Sequence, residues 1–87
     1  MRDFLEAFER LPLGAFTAHY DGRRYEAART QFADGKSEKL VAEEAGGTDY
    51  ISLNLYRLSD GRALLKPCEM SEAKVRSFVV GLRVGGP

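Results

Sequence analysis

The chain has one cysteine, one histidine and three prolines in 87 residues, and its 13 Lys and Arg are balanced by 13 Asp and Glu. A lone cysteine forbids an internal disulfide framework, and one Cys with one His cannot complete a familiar zinc site. The zero net charge leaves nothing to draw the chain as a whole toward nucleic acid or anionic lipid. Apolar runs are only a few residues long, far short of a membrane-crossing helix. The opening MRDFLEAFER carries acids within its apolar pattern, unlike a secretory signal. No phosphate-binding loop, dinucleotide fingerprint, nucleophile elbow or zinc-protease motif occurs. With 44% hydrophobic and 30% charged residues, the balance is that of one globular domain over 1–87, expected in the cytoplasm and needing no cofactor.

What is abundant is punctuation. Asp21-Gly22, Asp34-Gly35, Gly46-Gly47 and Asp60-Gly61 recur every 12 to 14 residues. Asp-Gly and Gly-Gly tolerate the positive φ angles of tight hairpin turns. The segments between them are rich in Tyr, Phe, Thr, Val, Ile and Leu, which suit a pleated surface. The spacing predicts five strands, at 14–20, 23–33, 36–45, 49–58 and 62–67, joined as an antiparallel meander. The ends follow a helical period instead. Asp3 and Glu6 fit a capping box, Phe4, Phe8 and Leu11 form one apolar stripe, and Pro12 with Gly14 stops the helix. Ser71 fits the cap of a second helix, with Met70 and Val75 placed as a hydrophobic staple and Val75, Phe78, Val79 and Leu82 as its stripe.

If every turn is a two-residue loop, residues equidistant from it share a face. Phe16 then opposes Ala27, Ala18 opposes Tyr25, Ala42 opposes Ile51 and Leu40 opposes Leu53, and the apolar parity runs on to Cys68 and Met70. Two single-stripe helices are the natural cover for that face. The expected architecture is therefore α+β, with both terminal helices on one side of the sheet. The other face is mostly polar, yet Phe32, Val41, Tyr56, Leu58 and Leu65 fall on it near the second and fourth turns. Gln31, Lys36, Glu38, Arg57 and Lys66 take core parity at the same end. A bulge in the second or third strand, or a longer turn at Asp34-Gly35, exchanges these sets. Without one, the apolar group is an exposed patch of the kind that marks a partner surface.

Chemistry-bearing residues are sparse. Cys68 precedes the second helix, whose N-terminus acidifies a thiol in contact with it, but His19 lies four strands away. Arg23, Arg24, Arg29 and Lys39 stand near Tyr20 and Tyr25, a mixture suited to stacking nucleic-acid bases, though acids interleave throughout. Lys36, Arg57, Arg62 and Lys66 surround the fourth hairpin as a candidate anion-binding rim. Glu43, Glu44 and Asp49 flank the Gly-Gly turn without the spacing of a calcium loop, so no metal is expected. The expectation is a non-enzymatic interaction module that binds a protein partner or a second copy of itself. Its surface comprises Phe32, Val41, Tyr50, Asn54, Tyr56, Leu58 and Leu65, with no membrane and no nucleic acid among its partners. The rival readings are a small thiol enzyme or redox protein using Cys68, and a weak binder of RNA or single-stranded nucleic acid.

Overall fold

A computed structural model describes residues 2–85 of the chain. Helix α1 (Arg2–Glu9) leads into strands β1 (Gly14–Tyr20), β2 (Arg23–Phe32), β3 (Ser37–Glu44), β4 (Tyr50–Arg57) and β5 (Ala63–Pro67). Helix α2 (Glu72–Gly81) and a two-residue strand β6 (Arg83–Val84) complete the order. The fold is α+β, with a helix toward each end of an antiparallel sheet. The sheet has six strands rather than five, in the order β5-β4-β3-β2-β1-β6, and it is open. Once α2 has ended, the chain drops beside β1, where Val84 pairs with Ala18 and Arg83 with His19. Two residues give no periodicity to read, but they cover part of an edge whose backbone groups would otherwise lack partners.

The hairpins explain both what sequence parity captures and where it fails. At Asp21-Gly22 both residues have positive φ, 54° and 75°, and Tyr20 pairs directly with Arg23. This is the two-residue reversal whose twist suits the strands. The second reversal is longer. Ala33, Asp34 and Gly35 are all left-handed, and the Lys36 N–H returns to the Ala33 carbonyl at 3.1 Å. Four residues, an even number, separate Phe32 from its partner Ser37, so the parity is kept and pairing runs unbroken back to Tyr25 and Glu44. Of the two alternatives, the longer turn at Asp34-Gly35 is present and the bulge is not, and because the loop is even the faces are not exchanged. The third reversal likewise keeps parity, with Glu43 opposite Tyr50.

The fourth reversal does not. The Leu58 N–H donates to the Arg62 carbonyl across three residues, with Gly61 at a φ of 89°. An odd loop slips the register by one, and a one-residue slip sends every side chain of the strand to the other face. Leu65 therefore pairs with Leu55 in the core, where it is buried. Leu64 takes the outward position opposite Tyr56 that parity had given to Leu65. Lys66 pairs with Asn54 on the outward face instead of taking core parity. Cys68 follows it there, its Sγ accepting from Asn54 Nδ2 at 3.6 Å rather than facing the helices.

Both helices lie on one side of the sheet. Phe4 and Phe8 of α1 stack at 5.7 Å, and with Val75, Phe78 and Val79 of α2 they close over Ala18, Tyr25, Ala27, Leu40, Ala42, Ile51, Leu53 and Leu55. Alanines on β1, β2 and β3 leave room for the aromatic rings above them. Burying each large side chain contributes about 1.5–3 kcal/mol against the opposing chain entropy. Ser71 caps α2 as expected, its Oγ accepting from the Lys74 N–H at 3.1 Å. Asp3 does not cap α1. The helix has already begun at Arg2, so Asp3 lies inside the first turn and serves the positive helix end as a charge. Leu82 stands just past α2 and still packs against the core. No helix among the described residues is long and apolar enough to cross a membrane.

Candidate interaction surface

The strand register arranges the outward face as rows running across the sheet. At the end nearest the second and fourth turns, Phe32, Ser37, Tyr56 and Leu64 form one row. Next come Thr30, Lys39, Asn54 and Lys66. A central row holds Ala15, Ala28, Val41 and Ser52, with the Cys68 N–H donating to the Ser52 carbonyl at 2.9 Å. Thr17, Glu26, Glu43 and Tyr50 follow, then Arg83, His19 and Arg24. Both helices pack on the opposite face, and only at the Tyr50 end of β4 does one reach round, with Lys74 Nζ of α2 lying 5.9 Å from the centre of the Tyr50 ring. Phe32 is 51% exposed, Leu64 41%, Tyr50 43%, and Tyr56, Leu58 and Val41 slightly less. A hollow of about 440 Å³ has Val41, Glu43, Thr48, Tyr50 and Ser52 in its lining.

Of the residues expected to form a docking surface, Phe32 and Tyr56 share one row, with Leu58 just beyond the end of β4. Asn54 lies one row in and Val41 two. Tyr50 stands at the opposite end, and Leu65 belongs to the core. The residue that parity passed over is Leu64. Its signal was available only to a reading that allowed Asp60-Gly61 a three-residue loop.

Charges on this face are unlike those elsewhere. Glu26 and Glu43 are direct cross-strand partners, an arrangement of like charges that costs stability. Thr17 Oγ1 donates to Glu26 at 2.9 Å. Among the described residues, no ion pair within the chain involves Arg24, Glu26, Lys39, Glu43, Lys66 or Arg83; all seven ion pairs lie elsewhere. His19 Nδ1, between Arg24 and Arg83 in register, is out of solvent contact and without a hydrogen-bond partner.

On the covered face the two buried charged side chains, Arg29 and Glu38, are both engaged. Arg29 donates through Nε to Glu38 Oε1 at 2.7 Å, through Nη2 to Oε2 at 3.2 Å and through Nη1 to the Leu11 carbonyl at 2.6 Å. Its guanidinium lies 4.8 Å from the Phe8 ring centre. Arg57 donates to the second Glu38 oxygen, to Gly35 O at 3.2 Å and to Glu9 at 3.2 Å. The network ties the end of α1 to β2, β3 and β4. Burial alone would push the Glu38 carboxyl up, but the hydrogen bonds from Arg29 and Arg57 outweigh it and hold it below its ordinary 4.5. At the other end, Tyr25 donates to Asp49 at 2.7 Å, and Lys74 of α2 reaches the second Asp49 oxygen at 2.7 Å. Lys74 and then Tyr25 hold the Asp49 carboxyl below its usual range, while burial, with Asp49 beside it, pushes the Tyr25 phenol up to about 12.

Of the four cations read as an anion rim, Lys36 and Arg57 are backbone neighbours, the Arg57 N–H donating to the Lys36 carbonyl at 2.8 Å. Arg57 is committed to Glu38 and Glu9, Arg62 folds back on Asp60 at 2.7 Å, Lys66 lies on the outward face, and Lys36 sits in the second reversal. Cys68 and His19 both face outward, but on β5's extension and β1, with three strands between. Among the described residues, no three His, Cys, Asp or Glu side chains cluster as a metal site. No family model, no curated protein and no solved structure matches the chain.

Proposed function

We propose that this protein is a non-enzymatic interaction module that works through the uncovered face of its sheet, and that the partner it binds there is a second copy of itself. One observation carries the reading: a six-stranded sheet is roofed on one side only, and its open side holds Phe32, Val41, Tyr50, Tyr56, Leu58 and Leu64 exposed. An open face of this breadth with large apolar side chains is how interaction surfaces are built, aromatic anchors supplying most of the contact. Asn54, Ser52 and Thr30 between them supply the hydrogen-bonding groups of such an interface. The carboxylates of Glu26 and Glu43 in the row of Tyr50 repel phosphate, which weighs against bases stacking on that tyrosine.

Light scattering across a dilution series tests the reading. A dimer at high micromolar concentration, dissociating on dilution, is expected. A strictly monomeric protein at that concentration contradicts it. Val41→Asp places a charge at the middle of this face, carboxylate against carboxylate between the two copies, and should shift the dimer toward monomer without unfolding the domain.

A further inference from the structure

We infer that the two copies pack sheet against sheet about a two-fold axis that runs across the strands along the Val41 row, so that Lys39 of each copy meets Glu43 of the other. This inference rests on the self-association proposed above and fixes its geometry. Two sheets that bury the same face against each other are related by an axis lying between them. Its two limiting directions are along the strands and across them. An axis along the strands keeps every row opposite itself. The acidic row of Glu26 and Glu43 then faces its own copy, and the Lys39 and Lys66 row does the same. An axis across the strands reverses the order of the rows. The acidic row then faces the basic row, and only the central row faces itself.

The register supplies the required symmetry about that central row. On β3, Lys39 and Glu43 lie two residues either side of Val41, and they are about 13 Å apart along the strand. On β2, Phe32 and Arg24 lie four residues either side of Ala28, which pairs with Val41. The reversed packing sets Lys39 against Glu43 twice at the centre, and Phe32 against Arg24 twice further out, ring facing guanidinium. On β4, Asn54 comes opposite Tyr50 about Ser52, which also pairs with Val41. The central row of Ala15, Ala28, Val41 and Ser52 is small, which lets two sheets reach the spacing of about 10 Å usual for face-to-face packing. The Val41 row is the third of the five outward rows, so the axis passes near the middle of the face. The arrangement also explains the otherwise unfavourable pairing of Glu26 with Glu43. Their charge has no cation within the chain among the described residues, and Lys39 of the second copy supplies one.

A charge exchange tests the geometry on the full chain. Lys39→Glu alone sets a second carboxylate against Glu43 of the other copy, and Glu43→Lys alone sets lysine against lysine. Each is expected to weaken the dimer about tenfold or more by light scattering, with an unchanged circular dichroism spectrum. An equimolar mixture of the two variants restores the opposite-charge contact, and native mass spectrometry should then show the mixed dimer well above either self-pair. If the wild type dimerises but the mixture associates no better than the variants alone, the crosswise axis is overturned and self-association stands. If K39E instead pairs preferentially with the wild type, the rows face themselves and the axis runs along the strands, which equally overturns the inference. A wild type that is monomeric throughout overturns both the geometry and the function it rests on.

Discussion

Glu38 and Lys39 are neighbours in β3, and the pleat sends them to opposite faces. Glu38 is fully buried, and two guanidiniums meet its carboxylate. Lys39 is exposed and has no ionic partner among the described residues. The same contrast holds for the rings: Phe78 is closed between Tyr20 and Tyr25, and Phe32 is half exposed at the end of β2. On the roofed side, polar groups are spent on holding α1 and α2 in place. On the open side, Arg24, Lys39, Glu43 and Lys66 have no ionic partner within the chain among the described residues. The difference teaches where function can reside: a charge already satisfied within the fold is structural, and an unsatisfied one beside its own like is available to a partner.

The sharpest way to break this comparison is to remove one carboxylate. Glu38→Ala strands Arg29 in the core and should cost about 3–5 kcal/mol by urea unfolding, while Lys39→Ala in dilute solution should change stability by no more than about 0.5 kcal/mol. The same contrast applies to the aromatic pair. Phe78→Ala should cost about 3–5 kcal/mol and Phe32→Ala about 0.5 or less under conditions where the protein is monomeric.

Acid sharpens the comparison further. Because the fold holds the Glu38 carboxyl below its ordinary 4.5, its stabilisation is complete above that value and is lost as the pH falls through the lower folded value. Asp49 acts in the same direction. Unfolding free energy should therefore fall below about pH 4.5, and Glu38→Gln should flatten that decline in a titration of denaturant midpoints. Tyr25→Phe, which deletes only the hydrogen bond to Asp49, should cost about 1 kcal/mol. Smallest of all, Glu43→Gln relieves the repulsion from Glu26 and should stabilise the dilute monomer by a few tenths of a kcal/mol, on the order of a cross-strand pair.

Much of this was legible in the residues. Four glycine-bearing turns at near-even spacing specify the meander, and the pairings of Ala18 with Tyr25 and Leu40 with Leu53 follow from even-numbered loops. The slip at Asp60-Gly61 was not legible, because an Asp-Gly pair suits a two-residue or a three-residue reversal, and composition does not record the bonds Asp60 accepts from the Arg62 N–H and side chain within the turn. Its cost was the exchange of Leu64 for Leu65 in the outward row and of Lys66 and Cys68 between faces. β6 was too short to show a period. The parity of Glu38 and Arg57 was correctly inward, but it looked like a conflict to be removed by a bulge. The resolution was that Arg29 shares the core parity, so the inward charges balance one another. The outward rows were half visible: their residues follow from the register, but their mirror order about Val41 emerges only when all strands are aligned.

The most direct measurement is a methyl-resolved spectrum of the labelled protein recorded from low to high micromolar concentration. The account predicts concentration-dependent shifts at Val41, Leu58 and Leu64, with Leu40, Leu53 and Val75 unmoved. Outward methyls that stay fixed across the range, or inward ones that move as far, would contradict the division of the sheet into a packed side and a docking side.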